Sequence, residues 1–160
     1  MTHSPPSLRD PAALLATWFG AGLLPKAPGT WGSLAALPFA WALVHVGGET
    51  ALGLGVLLVF LAGWWAAGRF AAARGIDDPG SVVIDEVAGQ WLALLAARSD
   101  LLSYAIGFLL FRVFDIVKPW PVNWADRNIG GGLGIMLDDV LAGLYALACM
   151  MLLQWMGGVR

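Results

Sequence analysis

Two adjacent acidic pairs, Asp85–Glu86 and Asp138–Asp139, lie at the starts of apolar segments, and Asp115 closes another apolar run. Carboxylates gathered closely repel one another unless protons or cations intervene. Because the chain has only two His and one Cys, a soft-metal site is disfavoured, and oxygen ligands suit a hard ion such as Mg2+. The sequence therefore predicts that these carboxylates bind a divalent metal.

A simpler explanation covers either acidic pair taken alone. Acidic residues in the first turn of a helix complement the helix dipole, for about 0.3 to 1 kcal/mol each. The helix dipole does not readily explain two pairs together with Asp115. A charge within a bilayer costs on the order of 2.5 to 3.5 kcal/mol, which exceeds that benefit. Segments 81–89 and 134–143 share a turn, three apolar residues, an acidic pair, Val and Gly. This likeness is either a faint internal repeat or a coincidence.

Cationic side chains accompany the carboxylates in the segment RVFDIVKPWPVNWADRN. Arg112, Asp115 and Lys118 follow one another at intervals of three, so they share one helix face. Arg112 and Asp115 alone would form an internal ion pair. Arg127 follows in the next loop beside Asp126. Several cations next to a carboxylate-held metal describe a site for a phosphate group.

The stretch KAPGTWGS adds a weaker signal for anion binding. Lys26, the hydroxyls of Thr30 and Ser33 and the N–H groups of a helix start all suit an anion. Gly-Thr before a helix is more commonly a cap, and the Lys precedes the glycines at the wrong spacing for a Walker A loop. The sequence also lacks the motifs of histidine phosphatases, of cysteine phosphatases and of phosphatases that form an aspartyl phosphate. The remaining chemistry is metal-assisted attack by water, with a carboxylate as general base.

The elements that position these residues are apolar. Hydrophobic residues make up 59% of the chain, charged residues 12%, and there are nine Trp, which is typical of a membrane protein. A net charge of -2 supplies no basic surface for nucleic acid. We predict a single domain over 1–160, folded as an integral-membrane, all-α bundle of five to six helices.

Apolar stretches and breakers predict the helix positions. Pro28 and Gly29 are expected to break any helix, with Thr30 or Ser33 capping the next one. Predicted helices run over about 33–46, 50–68, 81–97 and 101–118 and from about 140, with a short interfacial or re-entrant helix over 12–20. Short joints make neighbouring helices antiparallel, which gathers most charges on one side. Lys and Arg mark cytoplasmic loops, so we expect that side to face the cytoplasm.

Three blocks of the chain resemble the phosphatidylglycerophosphatase A family. They are APGTWGSLAALPF preceded by LLPK, GSVVIDEVAGQW, and FRVFDIVKPWPVNWADRNIGGGLGIMLDDVLAG, and the likeness covers most of 14–143 in order. The resemblance implies an all-α, Mg2+-dependent phosphatase of the bacterial inner membrane. Its substrate would be phosphatidylglycerophosphate in the phospholipid bilayer, and its product phosphatidylglycerol.

The resemblance also assigns roles to residues of this chain. The implied catalytic carboxylates are Asp85, Glu86, Asp115, Asp138 and Asp139, and of these Asp85, Glu86, Asp115 and Asp139 are the implied metal ligands. The implied phosphate ligands are Lys118, Arg112 and Arg127, with Thr30, Ser33 and Lys26 as further contacts. Asp138 and Asp139 point about 100° apart on a helix, so one would bind metal while the other orients a ligand or acts as base. Asp126 is interpreted as the partner of Arg127.

Two alternatives belong to other classes of protein. Charges within a membrane also line ion and proton paths, so a small transporter or ion-conducting protein is one of them. It would need polar residues along a whole transmembrane route, which the first, second and last apolar segments lack past their charged ends. A structural scaffold is the other alternative, and it would leave the clustered carboxylates unexplained.

Overall fold

The computed structural model describes residues 7–157, and every regular element in that range is helical. The helices are α1 (Pro11–Ala16), α2 (Pro28–Arg74), α3 (Ile84–Leu94), α4 (Leu101–Val117), α5 (Val122–Asn128) and α6 (Gly131–Trp155), with a 3-10 turn at Ala21–Leu23. The predicted all-α class and the helix number are therefore confirmed.

The longest helix, α2, is folded back on itself. Gly47 and Gly48 depart from helical geometry, and Gly48 takes a φ of 67° that favours glycine. A Cβ built on Gly55 would lie 2.9 Å from the side chain of Leu43, whereas about twelve residues of straight helix would separate the two by about 18 Å. The two halves of α2 are therefore antiparallel, as the predicted joint at GGET requires.

Several predicted boundaries are wrong. Pro28 does not prevent a helix but begins α2, where its missing N–H costs nothing. At 11 residues, α3 is about 16 Å long, too short to span a bilayer. Gly131 rather than the region of residue 140 begins α6, so Asp138 and Asp139 lie about two turns into the helix. The dipole effect fades within the first turn and does not explain that pair.

Helix ends on the charged side of the molecule meet in space. A Cβ on Gly29, at the start of α2, would contact Glu86 at the start of α3 and Arg112 near the end of α4. Gly132 at the start of α6 likewise lies against Gly68, toward the end of α2. The predicted alternation of helix direction is confirmed, and these five helix ends form one end of the bundle.

The core lies around α3, which packs against α2, α4 and α6. Val83, Val87 and Ala88 are fully buried, and the Trp91 indole N–H donates to the Ala36 carbonyl at 2.9 Å. Large apolar side chains are exposed elsewhere: Leu54, Leu57, Leu58, Leu61, Trp64 and Trp65 on α2, and Leu109, Val113 and Ile116 on α4. By length and composition, α2 and α6 are able to cross a membrane.

Candidate functional site

Three carboxylates from α3 and α6 converge at the end of the bundle where the five helix ends meet. One oxygen from each of Asp85, Glu86 and Asp139 lies within 4.8 Å of the other two. Asp85 is 9% exposed and Asp139 3%, and Asp85 Oδ1 and Glu86 Oε2 are buried without a hydrogen-bond partner. Unpartnered buried oxygens and mutual repulsion are both costly. A donor set made only of oxygens fits a hard divalent cation, which would relieve both costs.

A glycine contact brings these carboxylates together. Gly89 of α3 lies four residues after Asp85, and Gly143 of α6 lies four residues after Asp139. A Cβ on Gly143 would be 2.5 Å from the Gly89 carbonyl oxygen, and a Cβ on Gly89 would be 2.5 Å from the Asp139 carbonyl oxygen. The two similar segments of the sequence therefore pack against each other, backbone to backbone.

Arg112 forms the internal ion pair expected with Asp115. Its Nη1 lies 2.7 Å from the Asp115 carboxylate, and both side chains are largely buried. The same Nη1 donates to the Ser33 hydroxyl at 3.4 Å, while that hydroxyl donates to the Gly29 carbonyl at 2.9 Å. The Nε of Arg112 is buried without a partner. Asp115 is therefore committed to Arg112, outside the cluster of three, and Arg112 retains an unused donor.

Gly29 lies directly against the Glu86 carboxylate. A Cβ there would overlap Glu86 Oε1 and lie 3.3 Å from Arg112 Nη1. The first turn of α2 therefore approaches the acidic cluster with bare backbone. Gly29 of KAPGTWGS is therefore explained as a residue that leaves room for Glu86.

Lys118 lies between two carboxylates. Its Nζ is 2.5 Å from Asp126 and 2.7 Å from Asp138, and its backbone adopts a left-handed φ of 46° that ends α4. Burial lowers the pKa of the Lys118 ammonium, but hydrogen bonds and charge from Asp126 and Asp138 outweigh burial and hold that pKa above its usual value. Asp126 thus pairs with Lys118, and its predicted pairing with Arg127 is wrong.

The remaining predicted phosphate ligands are less closely tied to the cluster. Lys26 is exposed, and its carbonyl accepts a hydrogen bond from the Trp31 indole at 3.1 Å. Thr30 is half-buried in the first turn of α2, and Arg127 is exposed in α5. Within residues 7–157, neither Lys26 nor Arg127 forms an ion pair.

A cavity of about 250 Å³ lies beside the cluster, and sequence reasoning did not assign it. Its polar lining consists of Asp77, Asp78, Asp85, Asp126, Arg127, Asn128 and Asp138. Asp77 and Asp78 belong to the loop between α2 and α3. In the sequence, the two residues stand in the polar stretch RGIDDPGS between two apolar segments, and that adjacent acidic pair was the signal available.

The fold and the site define a class: an all-α protein with an apolar bundle and, at one end, a buried carboxylate cluster suited to a divalent cation and flanked by Arg and Lys. The family model for phosphatidylglycerophosphatase A matches residues 14–154. The chain belongs to the phosphatidylglycerophosphatase A family, as its motifs indicated.

Named relatives agree with the family assignment. The chain is 44% identical to phosphatidylglycerophosphatase A of Escherichia coli K12, over 87% of this chain and 81% of the relative. It is 41% identical to phosphatidylglycerophosphatase A of Haemophilus influenzae, over 94% and 93%. A relative in Bacteroides thetaiotaomicron, provisionally named a phosphatidylinositol-3-phosphatase, is 42% identical over 91% and 94%. No solved structure matches the chain. The transporter alternative gains no support from these relatives.

Proposed function

We propose that the chain is a lipid phosphatase that hydrolyses the terminal phosphate of phosphatidylglycerophosphate to phosphatidylglycerol and inorganic phosphate. The observation that carries this proposal is the convergence of Asp85, Glu86 and Asp139 in a member of that family. Buried carboxylates without partners suit a metal ion that in turn binds phosphate oxygens. Two relatives that carry the name of this activity support the same substrate.

The proposed cofactor is Mg2+, held by Asp85, Glu86 and Asp139. When bound, it would offset the charge of a phosphate monoester and polarise its phosphorus–oxygen bonds. Asp115, which the sequence suggested as a further ligand, is proposed instead to orient Arg112, because their ion pair is 2.7 Å long. The catalytic set as a whole keeps the five carboxylates expected from the motifs.

The chain's own residues then bind the phosphate and move protons. Arg112 donates its unpartnered Nε–H to a phosphate oxygen. Lys118 has three N–H donors, and Asp126 and Asp138 accept two of them, so the third remains for the substrate. A carboxylate of the site accepts a proton from the attacking water as its oxygen bonds to phosphorus. The bond between phosphorus and the glycerol oxygen breaks, and that oxygen takes up the proton that the carboxylate accepted from the water.

We also propose a location in the bacterial inner membrane, with several membrane passes and the site at the cytoplasmic surface. The exposed Leu and Trp side chains of α2 suit a lipid environment, and α2 and α6 are long and apolar enough to span it. Lys and Arg at the site end favour the cytoplasmic side. A lipid head group at the membrane surface would then reach the carboxylate cluster while the acyl chains stay in the bilayer.

Phosphate release by the purified chain in detergent tests this function. Phosphatidylglycerophosphate, phosphatidic acid and phosphatidylinositol 3-phosphate are compared, each with Mg2+ and with EDTA. We expect Mg2+-dependent release that is fastest from phosphatidylglycerophosphate. Faster release from the inositol lipid would assign the chain the activity named for the Bacteroides relative. No release from any of the three by folded protein with Mg2+ present would contradict the proposal.

A further inference from the structure

The helix that carries Asp85 and Glu86 begins without a capping side chain. Val83 precedes α3, and its apolar side chain makes no capping hydrogen bond. Side-chain caps ordinarily help to fix where a helix begins. The backbone N–H of Val83 donates instead to the Ala16 carbonyl, at the end of α1, at 2.8 Å. The start of α3 is therefore held by a distant part of the chain.

Two glycines pack directly against this stretch. A Cβ on Gly22, in the 3-10 turn that follows α1, would overlap the Ser81 carbonyl oxygen and lie 3.0 Å from Val83 Cγ1. A Cβ on Gly32, near the start of α2, would lie 2.6 Å from Val83 Cβ. Val83 itself is fully buried. The backbones of the 3-10 turn and of α2 therefore close around the residue from which α3 begins.

The connection between α1 and the 3-10 turn is itself firmly fixed. Trp18 and Phe19 have φ values of 44° and 57°, in the left-handed region that is costly for large side chains. Such strain persists only where surrounding contacts over-determine the backbone. The buried Thr17 hydroxyl donates to the Ala13 carbonyl at 2.7 Å, and the Trp18 ring packs edge-on against Trp91 of α3, with centroids 5.8 Å apart. The segment that contacts the start of α3 is therefore also anchored farther along the same helix.

We propose that Gly22 is a positioning residue for the carboxylates at the start of α3. Its missing side chain lets the 3-10 turn hold residues 81–83 at the place from which Asp85 and Glu86 meet Asp139. The three converging oxygens lie within 4.8 Å of one another, and a misplacement of about 1 Å at such a site is able to cost about a hundredfold in activity. This inference rests on the metal site of the proposed function but not on the choice of lipid.

Gly22→Ala in the purified full chain in detergent tests the inference, with bound Mn2+ as the readout and no lipid substrate present. The new Cβ must displace the Ser81 backbone. We expect Mn2+ binding to weaken about 10- to 100-fold, the range typical of lost support around metal ligands, and the electron paramagnetic resonance spectrum of the bound ion to change.

Gly55→Ala is the matched control. Its Cβ would lie 2.9 Å from the Leu43 side chain and 3.0 Å from the Trp91 ring, so it crowds α3 at the end away from the carboxylates. This variant should lower the melting temperature while the Mn2+ affinity and spectrum stay those of the wild type. The comparison separates a role in positioning the carboxylates from a general loss of packing.

Val83→Ala replaces Gly22→Ala if circular dichroism shows that the latter does not fold. It keeps the backbone N–H that bonds to Ala16 and removes the methyl groups that Gly22 and Gly32 enclose, so a several-fold loss of Mn2+ affinity is expected. Wild-type affinity and spectrum in the folded variant would overturn the inference.

The wild-type chain separates this inference from the proposed function. Mn2+ binding without phosphate release from any lipid would refute the phosphatase assignment and leave the positioning role of Gly22 standing. A wild-type chain that binds no Mn2+ would overturn the metal site and this inference together.

Discussion

Gly89 of α3 and Gly143 of α6 lie backbone against backbone, each four residues after a carboxylate of the acidic cluster. A Cβ on Gly143 would be 2.9 Å from Gly89 Cα and 2.5 Å from its carbonyl oxygen. The spacing between α3 and α6, and with it the distance between Asp85 and Asp139, is therefore set by the absence of two side chains.

Gly143→Ala should push α3 and α6 apart. We expect destabilisation of about 1 to 3 kcal/mol from overpacking and weaker Mn2+ binding, because Asp85 and Asp139 separate. Thermal unfolding in detergent and Mn2+ titration measure the two effects. Gly53→Ala is the matched control, since its Cβ would meet nothing closer than 3.9 Å. Equal behaviour of the two variants would show that the glycine contact does not position the cluster.

Gly29→Ala should impair the site with less effect on the fold. The new Cβ would overlap the Glu86 carboxylate, and that flexible side chain is able to move away. The Gly89 backbone that faces Gly143 has no such freedom. We expect phosphate release to fall at least tenfold while the melting temperature stays close to that of Gly53→Ala. Normal activity in Gly29→Ala would mean that Glu86 does not need its present position.

Asp139→Asn and Asp115→Asn should each abolish phosphate release, for different reasons. Asp139 is a proposed metal ligand, so its variant should also lose Mn2+ affinity. Asp115 holds Arg112 at 2.7 Å, so its variant should retain the metal and lose phosphate binding. Activity and Mn2+ binding are measured side by side. Glu49→Gln is the control, because Glu49 follows the kink of α2 at the opposite end of the bundle. An active chain carrying both substitutions would refute the site.

The two ion pairs of Lys118, with Asp126 and with Asp138, should contribute different amounts to the free energy of unfolding. Lys118→Met leaves the buried Asp138 carboxylate without its cation, and we expect a loss of about 3 kcal/mol in unfolding free energy. Asp126→Asn removes the more exposed partner, whose side chain is 34% exposed against 10% for Asp138. Its cost should be about 0 to 1 kcal/mol. Chemical denaturation of both variants in detergent compares them, and equal losses would contradict this ranking.

The sequence alone predicted the fold class and the gathering of charged residues at one end of the helices. Long apolar runs interrupted by Pro and Gly already imply helices, and short joints such as GGET imply antiparallel neighbours. Acidic pairs in such runs imply a charged site, since their burial would otherwise cost too much. These inferences depend on local pattern, and the structure confirms the helices and their directions.

Which charges meet was decided only by the tertiary structure. Asp126 adjoins Arg127 in the chain yet pairs with Lys118, because the left-handed turn at Lys118 and the short helix α5 bring Asp126 back to it. Asp115 looked equivalent to Asp85 but is held by Arg112 outside the cluster.

The glycines show the same division between local pattern and packing. In the sequence, Gly29 was expected to break a helix, and Gly89 and Gly143 appeared only as the glycine shared by the two similar segments. Their role as points of close approach depends on which helix lies opposite, over distances of tens of residues in the chain. Residue types and local periodicity determine the helices and the number of charged residues, whereas the packing of distant backbones determines which of those charged side chains lie together.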